Sequence, residues 1–96
     1  MSVTVVIPQV LRADCDGQAR VDLPLAAEGR VPLHSVLDEL VLRHPRLAQR
    51  LRDERGRLRR YVNVFVDADE CRSVAGLDTL VADGAEVRVL PSVAGG

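Results

Sequence analysis

The chain has 96 residues, 47% of them hydrophobic, with one Phe, one Tyr and no Trp, enough for one small domain whose core must be built from Val, Leu and Ala. Thirteen basic residues against fourteen acidic ones leave a net charge of −1, a balance that excludes a dedicated nucleic-acid or membrane-surface binder. No apolar run approaches the length of a transmembrane helix.

The first run, Val3-Thr4-Val5-Val6-Ile7, is β-branched and stopped by Pro8, which predicts a strand over 3–7. From Arg12 to Arg20 the sequence turns polar, with Asp16-Gly17 as a turn signal, and a weaker strand over 19–23 ends at Pro24. These two runs read as a hairpin. A helix is predicted over 32–43: Pro32 suits a first turn, and Leu33, Val36, Leu37, Leu40 and Val41 form one buried stripe. His44-Pro45 stops it, because the residue before proline is pushed out of the α region. A short amphipathic piece over 46–53 follows.

The strongest strand is 61–67, where Val62, Val64 and Val66 alternate with Tyr61, Asn63 and Phe65, so the valines take the core face. Residues 77–80 predict a brief helical turn and Asp83-Gly84 a tight turn, before a last strand over 86–90. Strand hairpin, helix, then a return to the sheet is the order of an α+β domain with its helix on one face. The domain is expected to occupy 1–90, with 91–96 as a flexible tail.

One sheet face is then left for partners. With Val3, Val5, Ile7, Val87 and Val89 inward, Val6, Phe65 and Leu90 point outward as an apolar patch edged by Arg88. Eight of the thirteen arginines crowd residues 43–60. With only Asp53 and Glu54 among them and no aromatic interleaved to stack on bases, they read first as a solvated face and second as a docking surface. The chain has no Lys at all, so it cannot form Lys-linked chains of itself.

Cys15 and Cys71 have no CxxC spacing and sit among acidic neighbours that disfavour a thiolate. With no signal peptide recognisable in Met1-Ser2-Val3-Thr4, a reducing cytoplasm is the expected compartment. His34 and His44 stand ten residues apart without a ligand partner at metal spacing, and no nucleophile, acid and base set has a local signature. Neither a metal site nor a catalytic residue is expected.

The remaining chemistry is in the tail, Pro91-Ser92-Val93-Ala94-Gly95-Gly96. Glycine lacks a Cβ, so two in succession can lie in a channel too narrow for side chains. At background glycine usage of about 7%, a terminal Gly-Gly arises by chance in roughly 0.5% of chains. A carboxylate on Gly96 that is converted to an acyl-adenylate becomes open to a sulfur nucleophile that displaces AMP. Ordering four to six tail residues costs roughly 1–2 kcal/mol each in backbone entropy, which a partner interface must offset.

The ending Asp83-Gly84-Ala85-Glu86-Val87-Arg88-Val89-Leu90-Pro91-Ser92-Val93-Ala94-Gly95-Gly96 resembles the final hairpin and tail of the ubiquitin-like β-grasp sulfur carriers, the MoaD/ThiS family that includes the small subunit of molybdopterin synthase and the thiamine sulfur carrier. Within that family, Val3-Thr4-Val5-Val6-Ile7-Pro8 with Leu11-Arg12, Arg60-Tyr61-Val62-Asn63-Val64-Phe65-Val66 and residues 78–96 are more similar to the carrier of the O-phosphoserine-dependent cysteine pathway. The likeness is weakest over 15–32 and around the Arg-rich stretch.

The resemblance implies a β-grasp fold, a mixed sheet with a helix across one face. It implies that Gly96, preceded by Gly95, carries sulfur as a thiocarboxylate, and that the chain is a co-substrate and not an enzyme. The partners implied are an E1-like adenylating enzyme or sulfurtransferase and an acceptor that is cysteine-synthase-like, thiazole-synthase-like or the molybdopterin synthase large subunit. No cofactor is bound; ATP and Mg²⁺ are consumed by the activating enzyme, and the free carrier is monomeric. Val6, Phe65, Arg88 and Leu90, with Val93 and Ala94 of the tail, would meet these partners. Two other readings stay open: a ubiquitin-like modifier joined to lysines of other proteins, and a β-grasp interaction module that carries nothing.

Overall fold

The computed structural model describes residues 1–91. Strand β1 (Ser2–Val6) is followed by a 3₁₀ helix, Gln9–Cys15, and by β2 (Arg20–Pro24). A short β3 (Arg30–Pro32) leads straight into helix α1 (Leu33–Arg43), and a 3₁₀ turn, Pro45–Leu47, runs into α2 (Ala48–Leu51). After β4 (Val62–Val66) and β5 (Asp69–Glu70) come two 3₁₀ turns, Cys71–Ser73 and Gly76–Asp78. The strands β6 (Leu80–Ala82) and β7 (Glu86–Pro91) close the described chain.

The main sheet has the order β2-β1-β7-β4-β5, and a second, two-stranded sheet pairs β3 with β6. The expected hairpin is present: β1 and β2 are antiparallel, with Val3 opposite Leu23 and Val5 opposite Val21. At the centre of the sheet β1 runs parallel to β7, Val5 opposite Val87, while β7 is antiparallel to β4, Val89 opposite Val64. This mixed sheet under a single long helix is the β-grasp arrangement, with the helix on one face as the element order predicts.

Burial follows the period-two pattern. Val3, Val5, Ile7, Val62, Val64, Val66, Val87 and Val89 are all buried, and Leu33, Val36, Leu37 and Leu40 of α1 join them in one cluster. Val41, at the edge of the helical stripe, is only partly buried. Leu47 and Leu51 of the short second helical piece complete that side of the core. Cys15 and Cys71 are buried free thiols. Burial, with Asp14 and Asp16 beside it, pushes Cys15 up to about 11, and burial with Glu70 raises Cys71, so both behave as small apolar core residues.

Several boundaries differ from the sequence reading, each for a local reason. The polar stretch predicted from Arg12 to Arg20 begins inside a 3₁₀ helix, Gln9–Cys15, which buries Cys15 and ends at Asp16 with φ 56. The Asp16-Gly17 turn signal is real; what precedes it is helical because Cys15 has core to reach. Pro32 does not open the helix but caps it in an extended conformation, φ −67 and ψ 151, while serving as the end of β3. Leu80 is not in a helical turn: it pairs with Pro32 in the small sheet. Pro24 sits in β2 and Pro91 in β7, both on positions where proline's missing N–H is tolerated at a strand end. The last strand therefore runs one residue beyond the predicted 86–90.

Leu37 is fully buried at the middle of α1. Leu37→Ala is expected to lower unfolding stability by about 2–5 kcal/mol through lost transfer energy and the cavity left behind, read as a lower denaturation midpoint with an unchanged slope. A loss below 1 kcal/mol would remove α1 as the main cover of the sheet.

Candidate functional site

The outer face of the sheet is assembled by register. Because β1, β7 and β4 are neighbours, Val6 stands opposite Arg88 and Arg88 opposite Phe65, with Arg20 beyond Val6 and Glu70 beyond Phe65. One row across the five strands thus reads Arg20, Val6, Arg88, Phe65, Glu70. Leu90 lies two residues further along β7, opposite Asn63.

The predicted patch residues share this face, but two details change. Arg88 does not edge the apolar group; it stands between Val6 and Phe65, since β7 is the central strand. Val6 and Phe65 are half-buried, whereas Arg88 and Leu90 are exposed. The face is an alternation of apolar and charged groups and not a continuous apolar surface.

Arg88 is held in place by its own strand. Its Nη2 donates to Oε1 of Glu86 at 2.8 Å, and Nη2 of Arg20 lies 4.0 Å from the other Glu86 oxygen. The backbone N–H of Glu86 donates to Oδ1 of Asp67 at 3.1 Å, and the Asp67 N–H returns a bond to the Glu86 carbonyl at 2.8 Å. Asp67 has φ 54 at the turn between β4 and β5, a conformation that Asp tolerates better than most residues. The hydrogen bond from Arg88, with the charges of Arg88 and Arg20 added to it, holds the Glu86 carboxyl below the usual glutamate range against the opposing effect of desolvation.

Glu86 and Arg20 had no role in the sequence reading. The first was legible, because 86, 88 and 90 share one face of a strand and an acid two residues from a base is its neighbour there. The second was not, since Arg20 reaches Glu86 across β1 and no local spacing reports a cross-strand neighbour. Asn63 is likewise drawn in from outside: Nη1 of Arg72 donates to its Oδ1 at 3.2 Å. The remaining predicted residues, Val93, Ala94, Gly95 and Gly96, lie outside the described residues.

The Arg-rich stretch is partly neutralised by acids, two of them distant in sequence and two a single helical turn away in spacing. Arg52 pairs with Asp38 at 2.8 Å, Arg50 with Asp14 at 3.3 Å, Arg43 with Glu39 at 3.2 Å, and Arg57 with Asp53 at 3.2 Å. Among the described residues no group of three or more His, Cys, Asp or Glu could hold a metal ion. His34 lies 4.0 Å from both Asp38 and Asp78, and His44 3.9 Å from Asp16. No described helix is long and apolar enough to cross a membrane.

Comparison with known proteins gives a consistent picture. The ThiS family model matches residues 17–96. The sulfur carrier protein CysO of Mycobacterium tuberculosis is 40% identical over 98 residues, covering 100% of both chains. A chain in the crystal structure of the Amycolatopsis orientalis BexX/CysO complex superimposes with a TM-score of 0.82 at 35% identity, over 98% of this chain and 99% of that one. SAMP1 from Haloferax volcanii does so with a TM-score of 0.82 at 27% identity, over 100% of both.

If Arg88 is what depresses Glu86, Arg88→Leu moves the Glu86 titration up toward the ordinary range, as followed by the carboxyl carbon shift across acidic pH. The sign follows from linkage: a depressed carboxyl stabilises the fold above its unfolded-state pKa and loses that contribution as pH falls through the folded value. A midpoint that stays put in the variant would show that Arg20 or the turn at Asp67 controls the charge.

Proposed function

The chain belongs to the ThiS family, and on that premise we propose that it is a sulfur carrier whose Gly96 carboxylate is the working group. The observation that carries this reading is the full-length likeness to a sulfur carrier protein, 40% identical with both chains covered end to end. Residues 95 and 96 of this sequence are the Gly-Gly on which the chemistry would turn.

The proposed reaction follows from the inertness of a carboxylate. A Gly96 oxygen attacks the α-phosphorus of ATP in an E1-like enzyme, with Mg²⁺ there to offset phosphate charge, and pyrophosphate leaves. The acyl-adenylate then accepts sulfide directly, or the terminal sulfur of an enzyme persulfide, with AMP as the leaving group. In the persulfide route a second thiol cleaves the acyl disulfide and frees the thiocarboxylate. An acceptor enzyme, cysteine-synthase-like on the likeness to CysO, then takes the sulfur, in the cytoplasm.

In this scheme the chain is a protein co-substrate. Its folded part contributes recognition and its last residues contribute reach. Arg88 and Leu90 of the outer sheet face lie on the strand that leads into the tail, with Val6 and Phe65 on the strands to either side of it, so an enzyme holding Gly96 also meets that face. Partner contact by a tail alone would have to offset the entropy of ordering it unaided. A second reading, a modifier joined to lysines of other proteins, draws support from the likeness to SAMP1, a small archaeal modifier protein.

The deciding measurement is the intact mass of the protein before and after incubation with ATP, an E1-like sulfurtransferase and a sulfide or persulfide source. A gain equal to one oxygen replaced by sulfur, mapped to Gly96, is expected. An additional residue after Gly96 abolishes that gain without unfolding the domain; full sulfur loading of the extended chain, with the added residue still present by mass, would sink the carrier reading. Isopeptide-linked conjugates in place of a thiocarboxylate would move the assignment to the modifier.

The docking face has its own test. Phe65→Arg sets a second cation beside Arg88 and should raise the KM for adenylation about ten-fold or more, a change worth at least ~1.4 kcal/mol of docking. Unchanged adenylation kinetics in a folded variant would remove this face from the account.

A further inference from the structure

Beside the root of the tail lies a groove of about 560 Å³ that the sheet face does not include. Its apolar wall is Val10, Tyr61 and Pro91, and its other side carries Arg46, Arg50 and Arg59. Val10 and Tyr61 are 70% and 56% exposed, large for apolar and aromatic side chains on so small a domain.

The charge of this groove is not balanced from within. Arg50 is paired with Asp14 at 3.3 Å. Arg59 directs its Nε to the backbone carbonyl of Gln49, which accepts a hydrogen bond but cancels no charge. Arg46 is exposed, and its side chain has neither an ion pair nor a hydrogen bond among the described residues. Among the described residues three guanidinium groups therefore face one carboxylate. Guanidinium is weakly hydrated and forked, the form of cation best suited to taking carboxylates in an interface.

Position decides which molecule covers it. Pro91, the last residue of β7, is itself part of the groove wall. The five residues beyond it can span at most about 17 Å when extended, so any enzyme that holds Gly96 must come within that distance of the groove. An enzyme surface brought that close meets an uncompensated positive charge flanked by apolar side chains, and only an acidic complement avoids a like-charge or desolvation penalty.

We propose that this groove is a second docking site, taking a segment of the tail-binding enzyme that bears carboxylates for Arg46 and Arg59 and an apolar side chain for the Val10–Tyr61–Pro91 wall. The inference rests on the carrier reading for the identity of that enzyme, but its chemistry rests on the groove alone. It also gives part of the Arg-rich stretch a use that its paired members, Arg43, Arg52 and Arg57, do not share.

The test measures affinity for the E1-like adenylating enzyme without ATP, by calorimetry at low salt, so that docking is read apart from sulfur loading. Arg46→Glu is expected to weaken binding about ten-fold, Arg46→Gln by less, and the difference should shrink near 1 M salt, where the Debye length falls to about 3 Å. Arg30→Glu, an exposed arginine on β3 away from the groove, should bind as the parent does. Arg46→Glu binding like Arg30→Glu overturns the proposal, as does a loss that salt leaves unchanged or no binding by the parent. A parent that binds but gains no sulfur by mass sinks the carrier reading instead, and the groove is then judged on the Arg46 difference alone.

Discussion

The parallel pairing of β1 with β7 is the constraint on which the rest of the molecule depends. It joins the first and last strands of the described chain at the middle of the sheet, with Val5 against Val87 and Val6 against Arg88. Such a contact closes a loop of about eighty residues, an entropic cost that only a shared core can offset. That core is the valine face of β1, β7 and β4 under the leucines of α1. Polar groups at the turn reinforce it: the Ser2 N–H donates to Oδ1 of Asp83 at 2.9 Å, and the Gly84 N–H to the Ser2 carbonyl at 2.8 Å.

Because β7 is central, it serves two purposes at once. Its inward residues, Val87 and Val89, are core, and its outward residues, Glu86, Arg88 and Leu90, make the middle of the exposed face. The strand that carries the chain toward Gly96 is therefore an interior strand, with ladder bonds to β1 on one side and β4 on the other.

Electrostatics divides the surface into settled and unsettled regions. Glu86 organises Arg88 and Arg20 on the sheet face, and Asp14, Asp38, Glu39 and Asp53 each hold one arginine of the 43–60 stretch. Exposed pairs of this kind contribute little to stability. Of the arginines in that stretch left without an ion pair among the described residues, Arg46 and Arg59 line the groove beside Pro91, and Arg55 and Arg60 do not.

Period-two and helical patterning alone determined the α+β class, the core valines, the α1 stripe, and which residues of 61–67 and 86–90 face outward, since these depend only on local geometry and the burial of apolar side chains. The Gly-Gly ending was equally legible, being a covalent fact of the chain. Tertiary structure decided what depends on strand order: that Arg88 stands inside the Val6 and Phe65 group, that Arg20 and Asp67 converge on Glu86, and that Arg46 and Arg59 flank Pro91. The short elements β3, β5 and β6 escaped the sequence reading for the same reason. Strands of two or three residues carry too little pattern of their own and exist because a neighbour, already placed by the core, offers them hydrogen bonds.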